Sequence, residues 1–230
     1  GVKDFKIITK IPHILNDGLT NKEAEIILYD QIIKSIRSLK IDNLYAILLH
    51  EPIKQLKGIH GKLYHKILSE LKNDGKVKKI GVSVYNPNDI LILLDIFNFE
   101  IVQAPFSIID QRFLNSGLLD KLNKINISFH ARSIFLQGLL LMNLNRIPNQ
   151  FSPYNQIFQY WHKWLFENQL SALDACLNFV NQFQQVNKVI VGIDKKSQLT
   201  EILKVKNIPL KTLPIWPKID ENLINPTTWK

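Results

Sequence analysis

The sequence is poor in sulfur: its 230 residues include one cysteine, Cys176, and one methionine, Met142. A single cysteine excludes a disulfide within the chain and any zinc site built from cysteine pairs. Cys176 lies in an apolar segment with helical spacing, which predicts a small core residue. Residue 1 is glycine and methionine first occurs at position 142, so we expect the natural protein to have a further segment upstream of Gly1.

Long apolar stretches are missing as well. No apolar run approaches the roughly 20 residues that span a bilayer, and no basic-then-apolar leader opens the sequence. The formal net charge is +9, yet nearly all the positive charge is lysine, and no arginine-aromatic cluster accompanies it. We therefore expect a soluble, cytoplasmic protein that binds neither nucleic acid nor a membrane.

Metal binding is not expected either. His60, His65 and His162 have no metal-ligand partner at a suitable spacing, and we expect all three at the surface or at an interface. The sequence carries no Gly-rich phosphate loop, so nucleotide binding would depend on the ends of strands.

Short apolar runs alternate with helical patterns along the whole sequence. Thr20 and Glu23 have the spacing of a capping box, and Asn86-Pro87 is typical of a helix start. The runs predicted as strands are 5–9, 44–49, 76–82, 100–102, 125–129 and 188–191. The segments predicted as helices are 21–40, 59–73, 88–97, 115–124, 157–168, 171–185 and 197–206, followed by an extended tail, 207–230.

This alternation predicts right-handed β-α-β units and a parallel sheet, an α/β fold. A (β/α)8 TIM barrel has eight strands in about 250 residues. Six units therefore predict such a barrel with its first two β/α units missing from this sequence, so that strands 3 to 8 remain. An apolar content of 46% without a compositional break predicts a single domain over 1–230.

Every predicted strand ends in a polar residue or a glycine. These ends are Lys10, His50, Ser83, Gln103, the segment 130–133, and Gly192. In a barrel, the carboxyl ends of all strands share one rim, which is where ligand sites lie. The convergence of six units on one rim predicts an active site there.

Six segments extend the pattern: IITK (7–10), LLHEP (48–52), GKVKKIGVSVYNP (75–87), VQAPFSIIDQR (102–112), FHARSIFLQGLLL (129–141) and VIVGIDKKSQLTEI (189–202). In this order and spacing, they resemble the aldo-keto reductase superfamily over roughly residues 5–206. The resemblance implies a reductase that transfers hydride from a nicotinamide cofactor, NADP(H) rather than NAD(H), to a small-molecule aldehyde or ketone.

The resemblance also implies two catalytic residues. Lys10 matches the family lysine, whose positive charge lowers the pKa of the tyrosine that protonates the product. His50 matches the family histidine, which orients the carbonyl oxygen. The family tyrosine and an aspartate that pairs with the lysine belong to the second barrel strand and the following helix, and no tyrosine of this sequence matches.

The implied cofactor contacts come from four segments. Ser83 and Gln103 match the residues that hold the nicotinamide carboxamide. Arg132 takes the place of an aromatic residue that stacks on the nicotinamide ring. The remaining matches are Ser133, Gln137 and Gly138 along the pyrophosphate, and Gly192, Gln198 and Glu201 near the adenosine.

Some positions depart from the family pattern. Val84 and Ile202 each replace an asparagine, and Asp194 would repel a 2′-phosphate that Lys195 or Lys196 would attract. These departures favour an alternative, a catalytically inactive reductase-like protein that binds a nucleotide or a protein partner. The sequence carries no signal for substrate identity or oligomeric state.

Overall fold

The computed structural model describes residues 5–229. Six strands follow one another in chain order across one sheet, and the pairings from β1 to β4 and from β5 to β6 are parallel. The strands are β1 (Ile8–Ile11), β2 (Leu44–Leu49), β3 (Val77–Ser83), β4 (Ile101–Pro105), β5 (Ser128–Arg132) and β6 (Val186–Val189). The predicted α/β class with a parallel sheet is confirmed.

Helices connect the strands, as parallel pairing requires. They are α1 (Asn21–Ser38), α2 (Pro52–Lys57), α3 (Gly61–Asn73), α4 (Pro87–Ile96), α5 (Arg112–Asn115), α6 (Leu118–Lys124), α7 (Asn155–Glu167), α8 (Ala172–Asn181), α9 (Lys196–Lys204) and α10 (Glu221–Ile224). Short 3-10 turns occupy Leu136–Leu141, Leu144–Arg146, Asn149–Tyr154 and Pro226–Thr228.

The chain divides into two compact units. The first comprises residues 5–103 and 124–128, and the second comprises 104–123 and 129–229. The first unit contains β1 to β3 and the first three residues of β4. The second contains most of β5, all of β6 and the helices from α7 onward.

The first unit is built on helices with clear start signals. Thr20 and Glu23 form the predicted capping box of α1, in which each side chain accepts a hydrogen bond from the other residue's backbone N–H. Asn86 caps α4 through the backbone N–H of Asn88, with Pro87 in the first turn, as predicted. One stripe of α1 is buried against the sheet side of the unit: Ala24, Leu28, Ile32 and Ile36.

Aromatic side chains dominate the core of the second unit. Phe106 packs against Phe129, Phe179 and Phe183, with ring centroids between 5.2 and 6.0 Å apart. Cys176 is fully buried in α8, which confirms its prediction as a core residue. Burial raises the pKa of its thiol.

Strand β5 begins three residues later than the sequence pattern predicted. The apolar run 125–129 begins in a turn, where Asn126 has a φ of 59° and Ile125 is 47% exposed. Pairing starts only at Ser128 and continues to Arg132. The prediction that His130–Ser133 follows the strand is therefore wrong for its first three residues, which lie within β5.

Other boundaries also differ. The predicted helix 115–124 is two helices, because Gly117 with a φ of 70° separates α5 from α6. The sequence pattern missed α2, which is only six residues long. The tail is not fully extended, since α10 forms within it, and β6 ends at Val189, three residues before Gly192.

The prediction of His60 as a surface or interface residue is wrong. His60 is 5% exposed, with Nδ1 3.3 Å from Asn21 Oδ1 and Nε2 3.2 Å from the Asn16 carbonyl oxygen. These partners lie about 40 residues earlier in the chain, so no local sequence pattern indicates them. The imidazole connects the start of α3 to the first residue of α1 and to the segment that precedes it.

Candidate active site

One face of the first unit carries four of the predicted site residues. Strand register pairs Lys10 with Leu48, Leu48 with Gly81, and Gly81 with Ile101. Two residues further along the strands, Ser83 pairs with Gln103. Since side chains two residues apart in a strand point to the same face, these positions share one face of the sheet. His50 directly follows β2 and continues its alternation; we call Lys10, His50, Ser83 and Gln103 the polar face.

An apolar floor lies beneath the polar face. Ala46, Leu48 and Ile101 form a fully buried cluster against which Ile8 packs. Gly81 is the one position of this layer without a side chain. A β-carbon there would lie 2.5 Å from Leu48 Cδ2 and 2.6 Å from the Ile101 carbonyl oxygen. The floor is closed because Gly81 leaves room for its neighbours.

Lys10 and His50 lie at neighbouring strand ends and are both exposed. Lys10 is the third residue of β1 rather than its terminus. The backbone N–H of His50 donates to the Ile11 carbonyl oxygen at 3.0 Å, which ties the two ends together. The structure thus brings the two predicted catalytic residues to adjacent ends of β1 and β2.

A negative charge lies directly after His50. The hydrogen bond from Lys54 lowers the pKa of Glu51, and the charges of Lys54, His13 and His50 act in the same direction against the cost of burial. Glu51 therefore remains ionised beside His50 at neutral pH. Glu51 was not among the predicted site residues, although it lies within the LLHEP segment.

Ser83 and Gln103 differ from Lys10 and His50 in being buried, at 2% and 5% exposure. The Gln103 backbone oxygen accepts from the Val84 N–H at 3.0 Å. A hydroxyl and a carboxamide offer both donors and acceptors. This pair is chemically suited to bind a ligand amide.

Val84 is 2% exposed and packs in the interior. It replaces the asparagine expected at this position, so its side chain offers the ligand no hydrogen bond. The departure noted in the sequence is thus accommodated as a core residue.

In the second unit, Arg132, Ser133, Gln137 and Gly138 lie on and after the end of β5. Arg132 is the last residue of β5, and its Nη1 donates to Ser133 Oγ at 3.3 Å. Ser133, Gln137 and Gly138 all have positive φ, of 58°, 54° and 89°. Left-handed backbone at these positions forms a tight turn that directly follows the strand.

Gly192, Gln198 and Glu201 lie in the segment after β6. The Gln198 side-chain oxygen accepts from the backbone N–H groups of Asp194 and Lys195, at 2.8 and 2.9 Å. Gln198 therefore caps the start of α9 with the oxygen that a cofactor contact would use. Glu201 is exposed on α9, and Gly192 is exposed in the preceding loop.

Within the described part of the chain, no three or more His, Cys, Asp or Glu side chains are arranged to hold a metal ion. No helix among residues 5–229 combines the length and apolar character needed to cross a bilayer.

Parallel strands with polar side chains at their carboxyl ends define an α/β protein of the class that binds small molecules at that edge of the sheet. The comparison with protein families is specific. The model of the aldo/keto reductase family matches residues 2–220, so the chain belongs to this family. Its members are oxidoreductases that act on aldehydes and ketones with NAD(P)H.

Solved structures give the same fold. The aldo-keto reductase AKR11C1 from Bacillus halodurans is 20% identical; its holo form gives a TM-score of 0.70 over 91% of this chain and 69% of that one. Its apo form gives 0.69, over 91% and 68%. The glycerol dehydrogenase AKR11B4 from Gluconobacter oxydans is 19% identical and gives 0.62, over 81% and 61%.

At these identities, the structural likeness establishes the fold alone. A search of curated proteins gives no match. The family match spans nearly the whole chain and does not confirm the expected absence of the first two β/α units, which stays a prediction.

Proposed function

We propose that this chain binds NADP(H) and takes part in the reduction of a small aldehyde or ketone to an alcohol. The observation that carries the proposal is the polar face, where Lys10, His50, Ser83 and Gln103 share one side of four neighbouring strands above an apolar floor. The family membership supports the reaction class.

The buried pair Ser83 and Gln103 supports nicotinamide binding. Both residues are nearly fully buried. A hydrogen bond between their polar groups and a ligand carboxamide would therefore form where water is largely excluded, which strengthens it. When bound, the cofactor supplies the hydride that reduces the carbonyl carbon.

The chain's own polar residues would act on the carbonyl oxygen. We assign His50 as the hydrogen-bond donor that orients this oxygen and stabilises its developing negative charge. Lys10 supplies a positive charge on the same face, which favours an ionised or strongly polarised proton donor nearby. Glu51 places a negative charge directly after His50 on the same strand end.

The proton donor itself is part of the proposal. The resemblance assigns it to a tyrosine that none of the tyrosines in this sequence matches. We therefore propose the reductase activity for a longer chain that carries this tyrosine and its aspartate, and the natural full-length product is the material for the assay.

In the second unit we assign the remaining dinucleotide contacts to the strand-end segments already described. Arg132 and Ser133 carry polar groups at the end of β5, and Gln137 and Gly138 lie in the left-handed turn that follows. The segment after β6 contributes Gly192, Gln198 and Glu201. We assign NADP(H) rather than NAD(H) on the resemblance and on Lys195 and Lys196 at the start of α9, whose charges would attract the 2′-phosphate that Asp194 would repel.

The test measures oxidation of NADPH by aldehydes, catalysed by the natural full-length protein and by its Lys10→Met and His50→Ala variants. We expect each variant to lower kcat/KM by about 10²–10⁴-fold. Lys34→Met, on an exposed position of α1, is the matched control and should leave the rate unchanged. Turnover that survives both site variants would overturn the assignment of these residues.

The second candidate is a reductase-like binding protein without turnover. The burial of Val84, which removes an expected ligand contact, favours it. This candidate predicts dinucleotide binding that Gln103→Leu weakens, together with the absence of carbonyl reduction in the natural product.

A further inference from the structure

A buried glutamine lies behind the polar face, on the short helix α2. Gln55 is 1% exposed, and its side-chain amide makes three hydrogen bonds to backbone. Nε2 donates to the carbonyl oxygens of Ile11 at 3.1 Å and Pro12 at 3.3 Å. Oε1 accepts from the backbone N–H of Glu51 at 2.9 Å. We call these three bonds the Gln55 bridge.

The bridge connects the two strand ends that carry the proposed catalytic residues. Ile11 directly follows Lys10, and Glu51 directly follows His50. The Ile11 carbonyl oxygen also accepts from the His50 N–H, so this one oxygen receives both strand-end bonds. A single side chain therefore fixes the backbone directly after Lys10 and directly after His50.

The local sequence explains why this amide is available. Pro52 starts α2, and the preceding Glu51 makes no side-chain cap, because its carboxylate bonds to Lys54. The Glu51 N–H would be left without a partner at this helix start, and Gln55 reaches back one turn to accept from it. Its two amide hydrogens remain free for the two carbonyl oxygens after β1.

We propose that Gln55 is a positioning residue for Lys10 and His50, setting the spacing of their side chains on the polar face. The proposal rests on the proposed function, in which both residues act on one carbonyl oxygen. Catalytic groups must be held within about 0.5 Å of the productive geometry, which exposed side chains reach only on a fixed backbone. The bridge supplies that fixed backbone without touching the substrate.

The chemistry of the bridge requires an amide. Two carbonyl oxygens need donors, and one N–H needs an acceptor. Methionine offers neither function, and an ionised glutamate would place its charge against two carbonyl oxygens. A protonated glutamate retains one donor and one acceptor. These differences make the bridge testable by three variants of similar size.

A buried amide can also serve stability alone, so the experiment needs a matched control. Asn178, 3% exposed in the second unit, accepts from the backbone N–H of Ile208 at 3.0 Å. Asn178→Leu thus removes a buried amide-to-backbone bond remote in sequence from both proposed catalytic residues. It reports what loss of a buried amide does to the fold by itself.

The first readout is amide hydrogen exchange of His50 and Glu51 in the natural full-length protein. We expect Gln55→Met to speed exchange at both amides by about tenfold or more, since loss of a buried hydrogen bond has that order of effect. Asn178→Leu should leave both amides as in the wild type. Equal exchange at these amides in the two variants would overturn the proposal.

The second readout is the pH dependence of Gln55→Glu. Burial raises the pKa of a carboxyl group. The neutral acid retains one donor and one acceptor, so exchange at His50 and Glu51 should stay near wild type at low pH. It should quicken as the pH rises and the carboxylate forms. The exchange rates in Gln55→Met should show no such step with pH. An identical pH profile of exchange in both variants would contradict the bridge.

The third readout is the division between kcat and KM. Gln55→Met should lower kcat by about tenfold or more while the KM for the cofactor changes little, because the bridge positions catalytic groups and makes no cofactor contact. Asn178→Leu should leave kcat unchanged. If the wild type shows no turnover, the proposed function fails, and the exchange data still decide whether the bridge holds both strand ends. If the wild type turns over normally and Gln55→Met leaves the exchange unchanged, the bridge alone is refuted.

Discussion

The floor of the polar face makes a sharp prediction about Gly81. A β-carbon at this position would lie 2.5 Å from Leu48 Cδ2, 2.6 Å from the Ile101 carbonyl oxygen and 2.8 Å from Ile101 Cβ. The leucine methyl group can rotate away, but the Ile101 oxygen and β-carbon are fixed by the pairing of β3 with β4. We therefore expect Gly81→Ala to force the two strands apart.

Overpacking of this kind costs about 1–3 kcal/mol, after the small gain from a stiffer unfolded chain. For a chain of this size, that lowers Tm by about 2–4 °C for each kcal/mol. The assay is urea and thermal unfolding of Gly81→Ala beside Gly192→Ala, where a β-carbon would meet nothing within 4 Å and φ is not in the left-handed region. Equal stability of the two variants would refute the packing argument.

Three further predictions concern single groups. Because burial raises the pKa of the Cys176 thiol, a thiol reagent should modify the native protein only as fast as it unfolds, and rapid labelling of folded protein would contradict this. Hydrogen bonds from Thr20 lower the pKa of Glu23. The stability that Glu23 gives to α1 is therefore present above the unfolded-state pKa and is lost as the pH falls through the lower folded-state pKa. Circular dichroism should show an acid step that Glu23→Gln lacks. Burial raises the pKa of the Tyr64 hydroxyl, which lies beside the Gln55 side chain without a hydrogen bond of good geometry. Tyr64→Phe should therefore leave the free energy of unfolding unchanged or raise it by up to about 1 kcal/mol, and a clear loss in denaturant unfolding would count against this.

Elements with local signals could be predicted from the sequence. The capping box at Thr20 and the Asn86-Pro87 start are complete within four residues, and both helices begin where these signals place them. Strand β2 matches its apolar run 44–49 residue for residue. Ser83 and Gln103 could be found because each follows a short apolar stretch, 80–82 and 101–102, in a parallel sheet. Ser83 is the last residue of β3, whereas Gln103 lies in the middle of β4, which continues to Pro105.

Features that depend on distant partners could not be predicted. Gln55 reads as an ordinary polar residue between lysines, and its role comes from a carbonyl group 44 residues earlier in the chain. His60 is buried for the same reason. The start of β5 was missed because an apolar run gives no sign of where hydrogen-bonded pairing begins, and Asn126 turns the chain inside that run.

The central claim is that the polar face binds the nicotinamide carboxamide. The most direct test is to titrate the natural full-length protein with NADPH and to monitor binding by cofactor fluorescence. The wild type, Ser83→Ala and Gln103→Leu are compared. The account predicts saturable binding that each variant weakens by about tenfold, the order expected for loss of one desolvated hydrogen bond. Binding of equal strength in all three proteins would contradict it.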